Sequence, residues 1–78
     1  MIKTKYFGMI AEKLQTQEEE IDFSTCEFPL ELKSFFTQRY PQIEQMPFVV
    51  AVNHEVKQNI QSLENINEIV ILPPFAGG

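Results

Sequence analysis

The sequence predicts an α+β fold, a mixed sheet packed on one main helix, from three observations. An alternating stretch at residues 1–7 and an apolar run at 69–72 read as strands near the two ends. Leu32, Phe35, Phe36 and Tyr40 recur at helical spacing and mark a helix between them. The remaining apolar segments fall into consecutive hairpin-like pairs, and one long helix crossing such pairs makes a β-grasp arrangement. The expected organisation is a β-grasp domain over residues 1–72 and a C-terminal reactive tail over 73–78.

Residues 1–7 alternate, with Ile2, Thr4 and Tyr6 on one face and Lys3, Lys5 and Phe7 on the other, as a strand between unlike surroundings requires. Gly8 breaks it. Ile10 and Leu14, four apart, then suit a short helix with a single apolar stripe. After a turn at Thr16-Gln17, residues 17–23 predict a second strand with Ile21 and Phe23 facing inward. Its Glu18-Glu19-Glu20 run reads as a solvated strand edge that resists unwanted pairing. Nothing at His or Asp spacing would make a metal site of it.

Pro29 suits the first turn of the main helix, expected to run to about Tyr40 and to end at Pro41. Its aromatic stripe reads as core. Residues 48–52 are continuously apolar and predict a strand buried on both faces, or nearly so. Asn53-His54-Glu55 predicts a hairpin turn because Asn tolerates the left-handed region, and Val56-Lys57 would start the return strand. Ile60, Leu63 and Ile66 are expected to pin a long connection to the core. Asn65-Ile66-Asn67-Glu68 is the expected turn into the last strand.

Composition narrows the function. A domain of 78 residues buries only about 60% of its unfolded surface, which commits most apolar side chains to the core and leaves little room for a deep catalytic pocket. With 44% hydrophobic and 12% aromatic residues the chain is expected to fold. Net charge is −5, and Lys3, Lys5, Lys13, Lys33, Arg39 and Lys57 are spread singly, so no cluster exists to neutralise phosphates and nucleic acid is not an expected partner. An acidic body of this kind suits association with a basic protein surface. Cys26 is the single cysteine, which rules out an intrachain disulfide. The N-terminal residues lack the apolar region of a signal peptide, and no run approaches the ~20 residues of a membrane span. A cytoplasmic location without membrane association is the expectation.

No nucleophile–base arrangement, glycine-rich phosphate loop or paired cysteine occurs. Cys26, without a basic neighbour, reads as a packing or linker residue, and His54 as a solvated turn residue. Neither a metal nor a stably bound cofactor is expected. By elimination the reactive group is the α-carboxylate of Gly78. The segment Pro73-Pro74-Phe75-Ala76-Gly77-Gly78 supports this, because two prolines lack donors and cannot extend a sheet ladder. It would leave the body as a stiff stalk reaching about 20 Å. Gly77 and Gly78 would pass where only backbone fits. An ordinary chain end remains the alternative. A carboxylate is a poor electrophile until joined to a nucleotide phosphate as a mixed anhydride. That step calls for an ATP-binding partner, since this chain has no phosphate cradle.

The segments Tyr6-Phe7-Gly8-Met9-Ile10-Ala11-Glu12, Val52-Asn53-His54-Glu55 and Glu68-Ile69-Val70-Ile71-Leu72-Pro73-Pro74-Phe75-Ala76-Gly77-Gly78 resemble the family of small, sulfur-carrying subunits of molybdopterin synthase. The resemblance spans essentially the whole chain, and its specific part is the strand–Pro-Pro–x–x–Gly-Gly ending. It implies a ubiquitin-like β-grasp fold and a non-catalytic sulfur-donating role within a sulfurtransferase. It also implies that an adenylating enzyme related to ubiquitin activators joins Gly78 transiently to AMP, using ATP, and that a sulfur donor then makes a thiocarboxylate. The tail of residues 73–78 would insert into the large synthase subunit, in a heterotetramer, and deliver sulfur to cyclic pyranopterin monophosphate. Phe7, Val56 and Leu72 match the family's apolar partner interface, and strand alternation separately places Phe7 opposite Ile2, Thr4 and Tyr6; a minor second core is the other use for these three.

Two departures stand out. Gly8 occupies a position where Ala is more usual, which is expected to loosen entry into the first helix. The turn before the last strand lacks the Asp-Gly-Asp pattern of relatives, and Asn67 is expected to supply its left-handed geometry. Competing readings are a thiamine-pathway sulfur carrier, a protein modifier conjugated to lysines through Gly78, and a non-chemical adaptor. Thiamine carriers are typically shorter, lack the helix after the first strand and seldom carry Pro-Pro. The adaptor reading gives no reason for the glycine pair.

Overall fold

The computed structural model describes residues 1–74. Strand β1 (Ile2–Tyr6) leads into helix α1 (Gly8–Leu14) and strand β2 (Glu18–Ile21). A two-residue strand β3 (Leu30–Glu31) runs straight into the main helix α2 (Leu32–Arg39), followed by a 3-10 turn at Pro41–Ile43. Strands β4 (Val49–Val52), β5 (Glu55–Val56), β6 (Asn59–Ile60) and β7 (Glu68–Leu72) complete the described chain.

The main sheet has the order β2-β1-β7-β4-β5, and β3 pairs with β6 in a separate ribbon. Early and late strands lie side by side at its centre: β1 and β7 are parallel, with Thr4 beside Ile69 and Tyr6 beside Ile71. All other pairings are antiparallel. A parallel pair needs a long crossover, and α2 supplies it on the inner face. This is the β-grasp expected from the sequence.

Alternation builds the core. Ile2, Tyr6, Val50, Val52, Ile69 and Ile71 point inward from the central strands, all buried, against Leu32 and Phe36 of α2, both fully buried. Ile10 and Leu14 of α1 and Ile43 of the 3-10 turn close one side. Tyr6 meets the rings of Phe36 and Tyr40 edge-on, with centroids 6.4 and 5.9 Å apart. Edge-to-face contacts of this kind suit the ring quadrupoles. Thr4, buried among these side chains, donates its hydroxyl to the Ile2 carbonyl at 3.3 Å.

Several expectations change. The main helix begins three residues beyond Pro29, because Leu30 and Glu31 pair with Ile60 and Asn59 before α2 starts. Glu31, still extended, then caps α2 by accepting from the Ser34 backbone N–H at 3.2 Å. The run at 48–52 is not buried on both faces: Phe48, Val50 and Val52 are buried, while Val49 and Ala51 are half-buried on the other side. In the last turn Asn65, at φ 66°, takes the left-handed conformation expected of Asn67. The Asn53 side chain explains this choice: its amide donates to the Asn65 carbonyl at 2.6 Å and its oxygen accepts from Asn67 N–H at 2.8 Å. Asn53 and His54, at φ 51° and 72°, make the tight β4–β5 turn.

The acidic run is divided by the pleat. Glu18 and Glu20 are exposed as expected, but Glu19 faces inward opposite Thr4. It accepts hydrogen bonds from the hydroxyls of Tyr6 and Tyr40 and from Arg39 at 2.9 Å. Burial alone would raise the Glu19 carboxyl. The bonds from Arg39, Tyr40 and Tyr6 outweigh it and hold the carboxyl below its ordinary value of 4.5. Burial, reinforced by the carboxylate, pushes the Tyr6 hydroxyl far up, so it stays a donor. Glu19 is therefore a bolt between the sheet edge and the end of α2.

Candidate functional site

The outer face of the sheet has two halves. At one, Lys3 lies beside Glu20 and Glu68, and Lys5 Nζ pairs with Glu68 at 3.1 Å. At the other the strands carry an apolar row: Val70 pairs in register with Ala51, and Ala51 with Val56. The next row brings Leu72 opposite Val49. Phe7, one residue beyond β1 and still extended, donates its N–H to the Ile71 carbonyl at 3.1 Å and so sits beside the end of β7.

This apolar half is open to solvent. Phe7 is 50% exposed and Val56 64%, while Val49, Ala51, Val70 and Leu72 are half-buried. The three interface residues implied by the sequence resemblance therefore lie on one face, and Val49, Ala51 and Val70 extend the patch. Those three were hidden in the sequence because a continuous apolar run carries no alternation. Among the described residues this is a contiguous, partly open apolar patch.

The patch adjoins the chain's exit from the fold. Strand β7 ends at Leu72, where Pro73 has no N–H to offer. Pro73 is half-buried and Pro74 exposed. Phe75, Ala76, Gly77 and Gly78, which carry the predicted chemistry, lie outside the described residues. Gly8 does not simply loosen the helix entry as expected. It adopts φ +60°, and a Cβ there would stand 2.9 Å from Pro73 Cγ.

Other candidates are placed apart from this region. Cys26 is half-buried against the core, and its N–H bonds the Phe23 carbonyl at 3.0 Å. His54 projects from its turn with its side chain 87% exposed. Among the described residues no three His, Cys, Asp or Glu side chains converge as metal ligands, and no helix is long and apolar enough to cross a membrane.

A family model described as the ThiS family matches residues 4–78. The chain belongs to the ThiS family. It is thus a small, ubiquitin-like sulfur carrier, and the match runs through Gly77 and Gly78. Among solved structures it is similar to a Pyrococcus furiosus protein provisionally described as molybdopterin converting factor, subunit 1. The two share 17% identity, over 95% of this chain and 97% of that one, with a TM-score of 0.64. That likeness shows the shared fold, which this ThiS-family chain builds with its central parallel β1–β7 pair.

Proposed function

We propose that this chain is the sulfur-carrying small subunit of a molybdopterin synthase. The observation that carries the reading is the family match extending through the Gly77–Gly78 end, on a body whose open apolar face borders the chain's exit. Helix α1 and the Pro73-Pro74 pair favour this pathway over thiamine synthesis, and the name of the Pyrococcus furiosus relative agrees with it.

The chemistry runs on Gly78 in partners' active sites. A carboxylate oxygen of Gly78 attacks the α-phosphorus of ATP on the adenylating enzyme, and pyrophosphate leaves. A donor at the sulfide level then attacks the acyl carbon, the acyl–phosphate bond breaks, and AMP leaves with the oxygen. The product is a thiocarboxylate. In the large subunit its sulfur passes to cyclic pyranopterin monophosphate, and water restores the Gly78 carboxylate. Phe7, Val56 and Leu72 hold the partner while residues 73–78 enter its site. ATP is the partner's substrate, and AMP is linked to Gly78 only in passing.

Intact mass tests this directly. With the adenylating enzyme, ATP and sulfide, the chain should gain the mass of one sulfur-for-oxygen exchange at Gly78. Unchanged carboxylate under those conditions would overturn the carrier role. The family model's description favours one second reading, a carrier for thiamine synthesis. Offering the thiocarboxylate separately to a molybdopterin synthase large subunit and to a thiazole-forming synthase separates the two. Product from the second alone would replace the pathway proposed here, and lysine conjugates in place of either product would identify a modifier.

A further inference from the structure

We infer that Gly8 is a positioning residue for the C-terminal chemistry: it leaves a socket in which the Pro73 ring seats, and so aims the chain as it leaves the sheet. The inference rests on the carrier reading above and deepens it.

Strand pairing stops steering the chain at this corner. The bond from Phe7 N–H to the Ile71 carbonyl, 3.1 Å, is followed by Leu72 and then by Pro73, which has no N–H for a further rung. Directly across, β1 gives way to α1 at Gly8. An added Cβ at Gly8 would stand 2.9 Å from Pro73 Cγ and 3.3 Å from Cδ. Both are inside the ~3.5–4.0 Å of an ordinary carbon–carbon contact. The proline ring thus occupies the space that the missing side chain vacates. Burial agrees, since Pro73 is half-buried while its neighbour Pro74 is exposed.

The seat matters because the reactive end of the chain lies only a few residues past it. A residue before proline is confined to extended conformations, which restricts both Leu72 and Pro73, and each proline fixes its own φ. Displacing the Pro73 ring therefore redirects Pro74 and the point from which the chain departs the sheet. A misplacement of about 1 Å in a reacting group can cost up to about a hundredfold in rate. Gly8 touches neither ATP nor the partner's reacting atoms in this account. It acts through Pro73.

A glycine at φ +60° is also what a tight strand-to-helix turn requires, and the test must separate that local role from aiming. The variants are Gly8→Ala, Pro73→Ala and the double substitution. For each, a denaturation midpoint is measured together with kcat and KM for pyrophosphate release when the adenylating enzyme acts on Gly78, at a temperature where all are folded. Gly8→Ala should lower kcat/KM per folded molecule at least about tenfold. The double variant should recover toward Pro73→Ala, because the alanine Cβ then meets no ring. Should Gly8→Ala not fold, Pro73→Gly must show the loss by itself, with an unchanged midpoint. Wild-type rates in Gly8→Ala, or losses that simply multiply in the double variant, would overturn the aiming role while wild-type adenylation stands. A wild-type chain that is not adenylated at all would instead overturn the carrier reading.

Discussion

The two faces of the central sheet are built from the same kinds of residue and meet opposite fates. On the inner face Ile69, Ile71, Val50 and Val52 are buried against α2. On the outer face Val70, Ala51 and Val49, their immediate neighbours in the same strands, remain half-open, and Val56 is 64% exposed. Covering an aliphatic side chain is worth about 1.5–3 kcal/mol, so the inner face has already contributed that free energy to folding while the outer face retains part of it. A domain this small keeps such surface open only at some risk of aggregation, which the flanking pairs Lys5–Glu68 and Lys3–Glu18 reduce.

Breaking the inner face should have the largest effect. Phe36→Ala empties a fully buried position and should lower stability by about 3–5 kcal/mol, read from the urea midpoint. An unchanged midpoint would show that Phe36 does not hold the faces together.

Glu19→Gln comes next. It weakens the bolt to Tyr6, Tyr40 and Arg39 and should destabilise by about 1–3 kcal/mol at neutral pH, whereas Glu20→Gln, on the outer side of the same strand, should change stability by less than about 0.5 kcal/mol. The sign of the pH effect comes from the depressed carboxyl. Because the folded value lies below the ordinary 4.5, the unfolded chain binds the extra proton first. Glu19's contribution is therefore present above pH 4.5 and is lost as pH falls through the folded value. Stability curves of wild type and Glu19→Gln should converge on acidification. Parallel curves would mean that the inward carboxylate is not linked to folding.

Val56→Asp should leave stability within about 0.5 kcal/mol yet weaken binding to the large subunit by about 1–2 kcal/mol or more, measured by calorimetry. Equal binding would move the partner to another surface and dissolve the contrast between the faces.

Much of this contrast was legible in the chain. Ile2, Thr4 and Tyr6 against Lys3, Lys5 and Phe7 declare two faces by alternation alone, and Leu32, Phe35, Phe36 and Tyr40 declare a helix by period. The Gly77–Gly78 ending and the family pattern around it were equally visible. Continuous runs were not, because Val49, Ala51 and Val70 look no different in sequence from their buried neighbours. Nor did the triplet of glutamates distinguish Glu19, whose partners come from β1 and the end of α2.

The amino-acid sequence by itself determined the main-sheet strands, the two helices, the core stripe and the glycine pair, since each is written in local periodicity and residue type; the β3–β6 ribbon of two-residue strands is not. Tertiary structure decided which glutamate faces inward, where α2 begins, and which asparagine turns left-handed. It also set the Pro73 ring into the hollow at Gly8. Those outcomes depend on register and close approach between segments far apart in the chain. No local pattern encodes such distances, because only the folded sheet brings the partners together.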